Sequence, residues 1–152
     1  VDPGLVHTGI VRFIIEHGSI EVTSKVVLGP NADETARWID EVPRPKAQIF
    51  VEQYDQRQHY NSDERMLKAE ADFKRAMPEA VLLRNMGVNS IVTRPVLETL
   101  GAWKFPITTH HQDLRSAAKI AVLGMMKQEH TNLLLAAIIR DHIDGKPWKV
   151  TA

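Results

Sequence analysis

Near the start of the chain, apolar positions follow strand spacing rather than helical spacing. Ile10-Val11-Arg12-Phe13-Ile14-Ile15 is rich in β-branched and aromatic side chains and predicts a strand. Ile20 through Leu28 alternates apolar and polar positions, which predicts a further strand with one solvated or edge face. Gly29-Pro30 stops it. Asn31 is then a good N-cap for a helix with Asp33 and Glu34 in its first turn and Ala36, Trp38, Ile39 and Val42 as apolar positions, ended by Pro43 and Pro45. Ala47-Gln48-Ile49-Phe50-Val51-Glu52 is a short, nearly continuous apolar run of the kind buried on both faces, and a carboxylate closes it. A carboxylate in that place is expensive unless it faces a cleft, an ion or a partner.

Beyond a polar loop from Gln53 to Asn61, the spacing changes to that of helices. Ser62-Asp63-Glu64 opens one whose stripe of Met66, Leu67, Phe73, Ala76 and Met77 runs to Pro78. Residues 79–87 read equally well as a strand or as a continuing helix, and Val88-Asn89-Ser90-Ile91-Val92-Thr93 predicts the last core strand. A short helix from Val96 to Leu100 and an irregular connection from Gly101 to Thr109 follow. A helix then runs from about His111 to Lys127, with Leu114, Ala117, Ala118, Ala121, Val122 and Met125 on one broad face. A final helix from Asn132 to Ile143 ends at Gly145. The order is three antiparallel strands, helix, strand, helix, strand, helices, which describes a mixed α/β domain. A right-handed crossover through 32–42 would set the strand ending at Glu52 beside the first strand, with Asp2 and Glu52 as neighbours.

Composition narrows the class without naming a function. The 152 residues are expected to form a single domain over 1–152, with 43% hydrophobic and 25% charged residues as in ordinary globular proteins. Leu133 to Ile139 is far shorter than the roughly 20 apolar residues that span a bilayer, and no signal peptide is visible. Absence of cysteine excludes a disulfide framework and a thiolate zinc site, and fits a cytoplasmic protein. Net charge is zero but uneven: residues 1–62 carry 6 basic against 9 acidic residues (−3), and residues 63–152 carry 13 against 10 (+3). Bound divalent ions would locally offset an acidic first half.

The chemistry begins at the opening stretch, Val1-Asp2-Pro3-Gly4-Leu5-Val6-His7-Thr8-Gly9. Pro3 biases Asp2 towards extended geometry and Gly4 offers the positive φ that closes a turn, so Asp2 is expected at a strand end with its side chain presented. A second turn is expected at Thr8-Gly9. Asp-Pro-Gly followed by Thr-Gly, opening a strand, resembles the start of the RuvC-type Holliday junction resolvases of the ribonuclease H-like superfamily. Since such a strand needs several apolar residues before its terminal carboxylate, the chain is expected to lack a few residues ahead of Val1.

The resemblance implies a ribonuclease H-like fold: a five-stranded mixed sheet with helices on both faces, an aspartate on strand one, a glutamate on strand four and one or two acids on a late helix. Asp2 matches the first, and Glu52-Gln53 looks like the second. The segment from Asp113 to Val122 looks like the acidic helix. With Asp113 on its first aspartate, Ser116 takes the second position; with Asp113 last, His110 takes the earlier one. Either pair lies one helical turn apart and can face one ion, so Asp113 is a ligand under both alignments, with His110, His111 or Ser116 completing the shell.

The family further implies two Mg²⁺ or Mn²⁺ ions, which suit oxygen ligands, about 3.5–4 Å apart for in-line phosphodiester hydrolysis. It also implies a homodimer, a four-way DNA junction as partner, and the cytoplasm of a bacterial or phage-infected cell. Tyr54, Arg57, His59, Tyr60 and Lys119 are candidate DNA contacts, the aromatic ones by stacking on unpaired bases. The lysine that the family carries shortly after its last core strand has no match after Thr93, where Glu98 stands.

Overall fold

A computed structural model of the chain describes residues 1–16, 19–41, 48–53, 64–85 and 87–127. Their elements, in chain order, are β1 (His7–Glu16), β2 (Ser19–Leu28), α1 (Ala32–Asp40), β3 (Phe50–Glu52), α2 (Glu64–Ala76), β4 (Val81–Leu83), α3 (Val88–Ile91), α4 (Arg94–Leu100) and α5 (His111–Met126). The expected helix over 132–143 lies outside the described residues.

β1 and β2 form an antiparallel hairpin in which His7 faces Leu28 and Glu16 faces Ser19. β3 and β4 form a parallel pair with Phe50 opposite Val81 and Glu52 opposite Leu83. Val1 and Asp2 tie the two sheets together. Asp2 exchanges backbone hydrogen bonds with Gly9 (2.9 and 3.1 Å), and the Val1 carbonyl accepts from the Glu52 amide at 2.9 Å. On the same side, the Val1 nitrogen donates to the Phe50 carbonyl at 2.7 Å. Hydrogen bonds therefore run from β2 through β1 and the Val1-Asp2 segment to β3 and β4.

Alternation along β1 divides the core between two layers. Ile10 packs with Val27, Val51, Phe73 and Met77, under α1 and α2. Val11 packs with Val92, Leu97, Leu114, Ala118 and Val122 of α3, α4 and α5 and their connections. The helices thus lie on both faces of the strands. α1 is capped as its sequence requires: the Asn31 Oδ1 accepts from the Glu34 amide at 3.0 Å. Arg12 closes the other end, donating from Nη2 to the Trp38 and Ile39 carbonyls at 2.8 Å each and lying 4.3 Å over the Trp38 ring.

Three expectations are corrected. Thr8-Gly9 is not a turn but the start of β1, where hydrogen bonding to Asp2 and β2 is the stronger constraint. Among the described residues the glycines with positive φ are Gly29, Gly87 and Gly101; Gly4 is needed instead because a Cβ there would stand 2.2 Å from the His7 carbonyl oxygen. Val88–Thr93 is not a strand. Val88 and Val92 are buried at 5% and 0% exposure, four residues apart on one side of a helical turn, while Asn89 and Ser90 face solvent. Burial at helical spacing, with Ser90 Oγ donating to the Gly87 carbonyl at 2.8 Å, overrides the β-branched composition. The strand beside β3 is β4, within the stretch that the sequence left open.

Candidate acidic site

Asp2 and Glu52 lie fifty residues apart in sequence and side by side in space. Because the Val1 carbonyl accepts from the Glu52 amide, the Val1-Asp2 segment runs as the immediate neighbour of β3. The two carboxyl groups share a hydrogen bond, and Asp113 is near enough for its charge to act on Asp2. Burial most of all, then the Glu52 hydrogen bond, the Glu52 charge and, least, the Asp113 charge raise the Asp2 carboxyl from its ordinary 3.8 to about 8. The surroundings of Asp2 therefore favour its protonated form over the carboxylate. Glu52 is also gripped from β4, since Asn85 Nδ2 donates to its Oε1 at 2.9 Å.

Asp113 reaches this place through close packing of α5 on β1. A Cβ on Gly9 would sit 2.5 Å from the Asp113 carbonyl oxygen and 3.2 Å from the Leu114 nitrogen, so only glycine lets the first turn of α5 lie there. Lower down the helix, Gly124 plays the same part against Phe50 of β3: a Cβ would meet the ring at 2.3 Å. Thr8, fully buried, fixes the loop after Asp2 by donating to the Gly29 carbonyl at 3.0 Å and accepting from the Gly4 amide at 3.4 Å.

At the head of α5, His110 has a left-handed backbone with φ of 65°. Its Nδ1 lies 3.2 Å from Asp113 Oδ2, with both side chains about one-third exposed (34% and 36%), so solvent or a substrate reaches them. Its ring also packs on His7, with centroids 4.0 Å apart and planes tilted by 43°. His111 is occupied otherwise: Nδ1 accepts from the Phe105 amide at 3.3 Å and Nε2 lies 2.9 Å from the Ile107 carbonyl, so both ring nitrogens brace the preceding connection. Ser116 is half-buried one turn beyond Asp113. Lys119 donates to Asn89 Oδ1 at 2.9 Å. Tyr54, Arg57, His59 and Tyr60 lie outside the described residues.

The donor set has the chemistry of a hard-cation site. Two neighbouring carboxyl groups, with the charge of a third acid acting on one of them, are an unfavourable cluster that a divalent cation would relieve. As the side chains stand, no three His, Asp or Glu groups among the described residues converge tightly enough to hold one ion. They form two pairs instead, Asp2 with Glu52 and His110 with Asp113.

Four residues around the acids escaped the sequence reading. Gly9 was assigned to a turn, and His7 lay unremarked inside the opening motif. Asn85, like Arg84, needed the position of β4. With β4 ending at Leu83, the exposed Arg84 is the basic residue directly after the last strand.

No protein-family model matches the chain, and no curated protein matches it. Among solved structures it is similar to the Thermus thermophilus RuvC structure, with 18% identity over 95% of this chain and 94% of that one and a TM-score of 0.49. Among the described residues, no helix is long and apolar enough to cross a membrane.

Proposed function

We propose that this chain is a divalent-metal-dependent endonuclease that resolves four-way DNA junctions, acting as a homodimer. The observation that carries the reading is the pairing of Asp2 with Glu52. The opening motif and the end of a buried strand, singled out separately in the sequence, run side by side, with the Val1 carbonyl accepting from the Glu52 amide at 2.9 Å, and the Asp2 carboxyl is raised by Glu52 and, more weakly, by Asp113. In support, hydrogen bonds link the β1–β2 pair to the β3–β4 pair through the Val1-Asp2 segment, so that Asp2 lies between the two pairs.

In this reading Asp2, Glu52 and Asp113 hold Mg²⁺ or Mn²⁺, with His110 beside Asp113 as a further ligand and Ser116 reaching the shell through water. Bound there, two such ions would supply an activated water and charge neutralisation at the leaving oxygen of a phosphodiester. The protein's own part is positional. Asn85 holds one oxygen of Glu52, Gly9 brings Asp113 to the strands, and Thr8 locks the loop that presents Asp2. Arg84, exposed after β4, answers to the basic residue that the family resemblance leads one to expect there. A two-fold substrate cut on opposing strands calls for two sites related by a two-fold axis, hence the dimer.

A second reading has one specific observation in its favour. Because no three donors among the described residues converge on a single point, a junction-binding module without catalysis is the alternative. A nuclease acting more broadly on flaps and forks is a variant of the first reading. Side-by-side incubation with a four-way junction, a fork, a flap and an RNA–DNA hybrid in Mg²⁺ or Mn²⁺ separates them: cleavage confined to the junction is expected, cutting spread over all forms means the broader nuclease, and binding without cutting means the inactive module.

A further inference from the structure

We propose that His7 is a positioning residue for the metal-binding head of α5: its ring holds the His110 imidazole in the orientation that meets Asp113. The inference rests on the metal-site reading above and adds a residue from the opening loop to it.

His7 stands on a fixed platform. It begins β1 opposite Leu28, the neighbouring Thr8 side chain is tied to Gly29, and the Gly29 amide donates to the Val6 carbonyl, so the backbone on both sides of His7 is pinned to the hairpin. His110 is tied to its own helix by the backbone, its carbonyl accepting from the Leu114 amide at 3.3 Å, but not by its side chain. It occupies the N-cap position of α5 with a left-handed backbone, and its side chain makes no capping bond to the helix amides. A residue other than glycine in that conformation is at a disadvantage. Such a backbone persists when surrounding contacts determine it. Two are present, the Nδ1 contact to Asp113 Oδ2 at 3.2 Å and the ring contact to His7 at 4.0 Å.

These contacts have a consequence for the imidazole. With Nδ1 facing Asp113 Oδ2, a proton on Nδ1 would leave the lone pair on Nε2, the arrangement in which a carboxylate orients a histidine for metal binding. The His7 ring blocks rotation of His110 away from Asp113. A tilted ring-on-ring contact needs only a flat ring at position 7, whereas direct ligation by His7 would need a nitrogen. Phenylalanine and alanine at that position therefore give different answers.

The test uses the full chain with His7→Ala and His7→Phe, first without metal. In long-range ¹H–¹⁵N spectra at pH 8, wild type and His7→Phe should show His110 as a single Nδ1–H tautomer, and His7→Ala should show averaged ring signals. An unchanged His110 pattern in His7→Ala, with its melting temperature matching wild type, would overturn the proposal. Manganese titration followed by EPR gives the second readout: His7→Ala should weaken Mn²⁺ binding about tenfold, within the range for loss of an orienting partner, and His7→Phe should restore it to within about twofold. Equal loss in both variants would also overturn it, because it would make His7 a ligand. If wild type itself bound no Mn²⁺, the metal-site reading would fall, while the metal-free spectra would still decide the role of His7.

Discussion

Replacing Asp2 with asparagine should stabilise the metal-free protein while abolishing its response to metal. The Asp2 carboxyl is raised from 3.8 to about 8 by burial and by Glu52. Between those values the folded chain holds a proton that the unfolded chain has released, so stability falls as pH rises from 3.8 and levels off above 8. Each pH unit is worth about 1.4 kcal/mol, and from 3.8 to 7 the loss reaches about 4 kcal/mol. Asp2 is not wholly removed from water and lies beside a second carboxyl, Glu52, so about half of that, roughly 2 kcal/mol, is the expected effect at pH 7. Asparagine carries no proton to lose. In urea unfolding with EDTA, Asp2→Asn should therefore exceed wild type by about 2 kcal/mol at pH 7 and by about 1 kcal/mol or less at pH 5. Adding Mn²⁺ should stabilise wild type and leave the variant unmoved. A variant equal to wild type at both pH values, or less stable at pH 7, would refute the picture of a strained carboxyl pair.

Other substitutions probe the supports of the site. Glu52→Gln should leave the fold intact and reduce metal-dependent junction cleavage by at least about 10²-fold on a gel time course, as expected for loss of a group acting in the transition state. Gly9→Ala puts a Cβ 2.5 Å from the Asp113 carbonyl oxygen; a loss of about 1–3 kcal/mol in urea unfolding, together with weaker Mn²⁺ binding, is expected as α5 is displaced. Leu114→Ala, at a fully buried position next to Asp113, should cost about 2–5 kcal/mol in the same assay. Asn31→Ala removes the cap of α1 and should cost about 1 kcal/mol with no change in cleavage; a change in cleavage would show that α1 is coupled to the acids.

Much of this arrangement was legible from residue patterns because the patterns were local. The alternation of Ile20 to Leu28, the Asn31 cap with its following acids, and the broad apolar face of α5 each specify an element with little help from the rest of the chain. The neighbourhood of Asp2 and Glu52 followed from handedness alone, since a crossover through α1 brings β3 beside the opening segment. Where tertiary contact decides, the sequence was ambiguous or misleading. Val88 to Thr93 has strand composition, yet its buried positions face the helical layer four residues apart. Gly9 has the look of a turn residue, and only the approach of α5 shows why glycine stands there. His7 and Asn85 carry no signal of their own, because a stacking ring and an amide that grips a carboxylate are defined by what lies opposite them.

The central claim is that Asp2, Glu52 and Asp113 form a metal-dependent centre for cutting branched DNA. Its most direct test is incubation of wild type and Asp2→Asn with labelled four-way junction and linear duplex, in Mg²⁺, in Mn²⁺ and in EDTA, with products resolved on a denaturing gel. The account predicts paired nicks on opposing strands of the junction, with wild type and metal only. Cleavage that persists in EDTA or in Asp2→Asn, or wild type that leaves the junction whole in both metals, would contradict it.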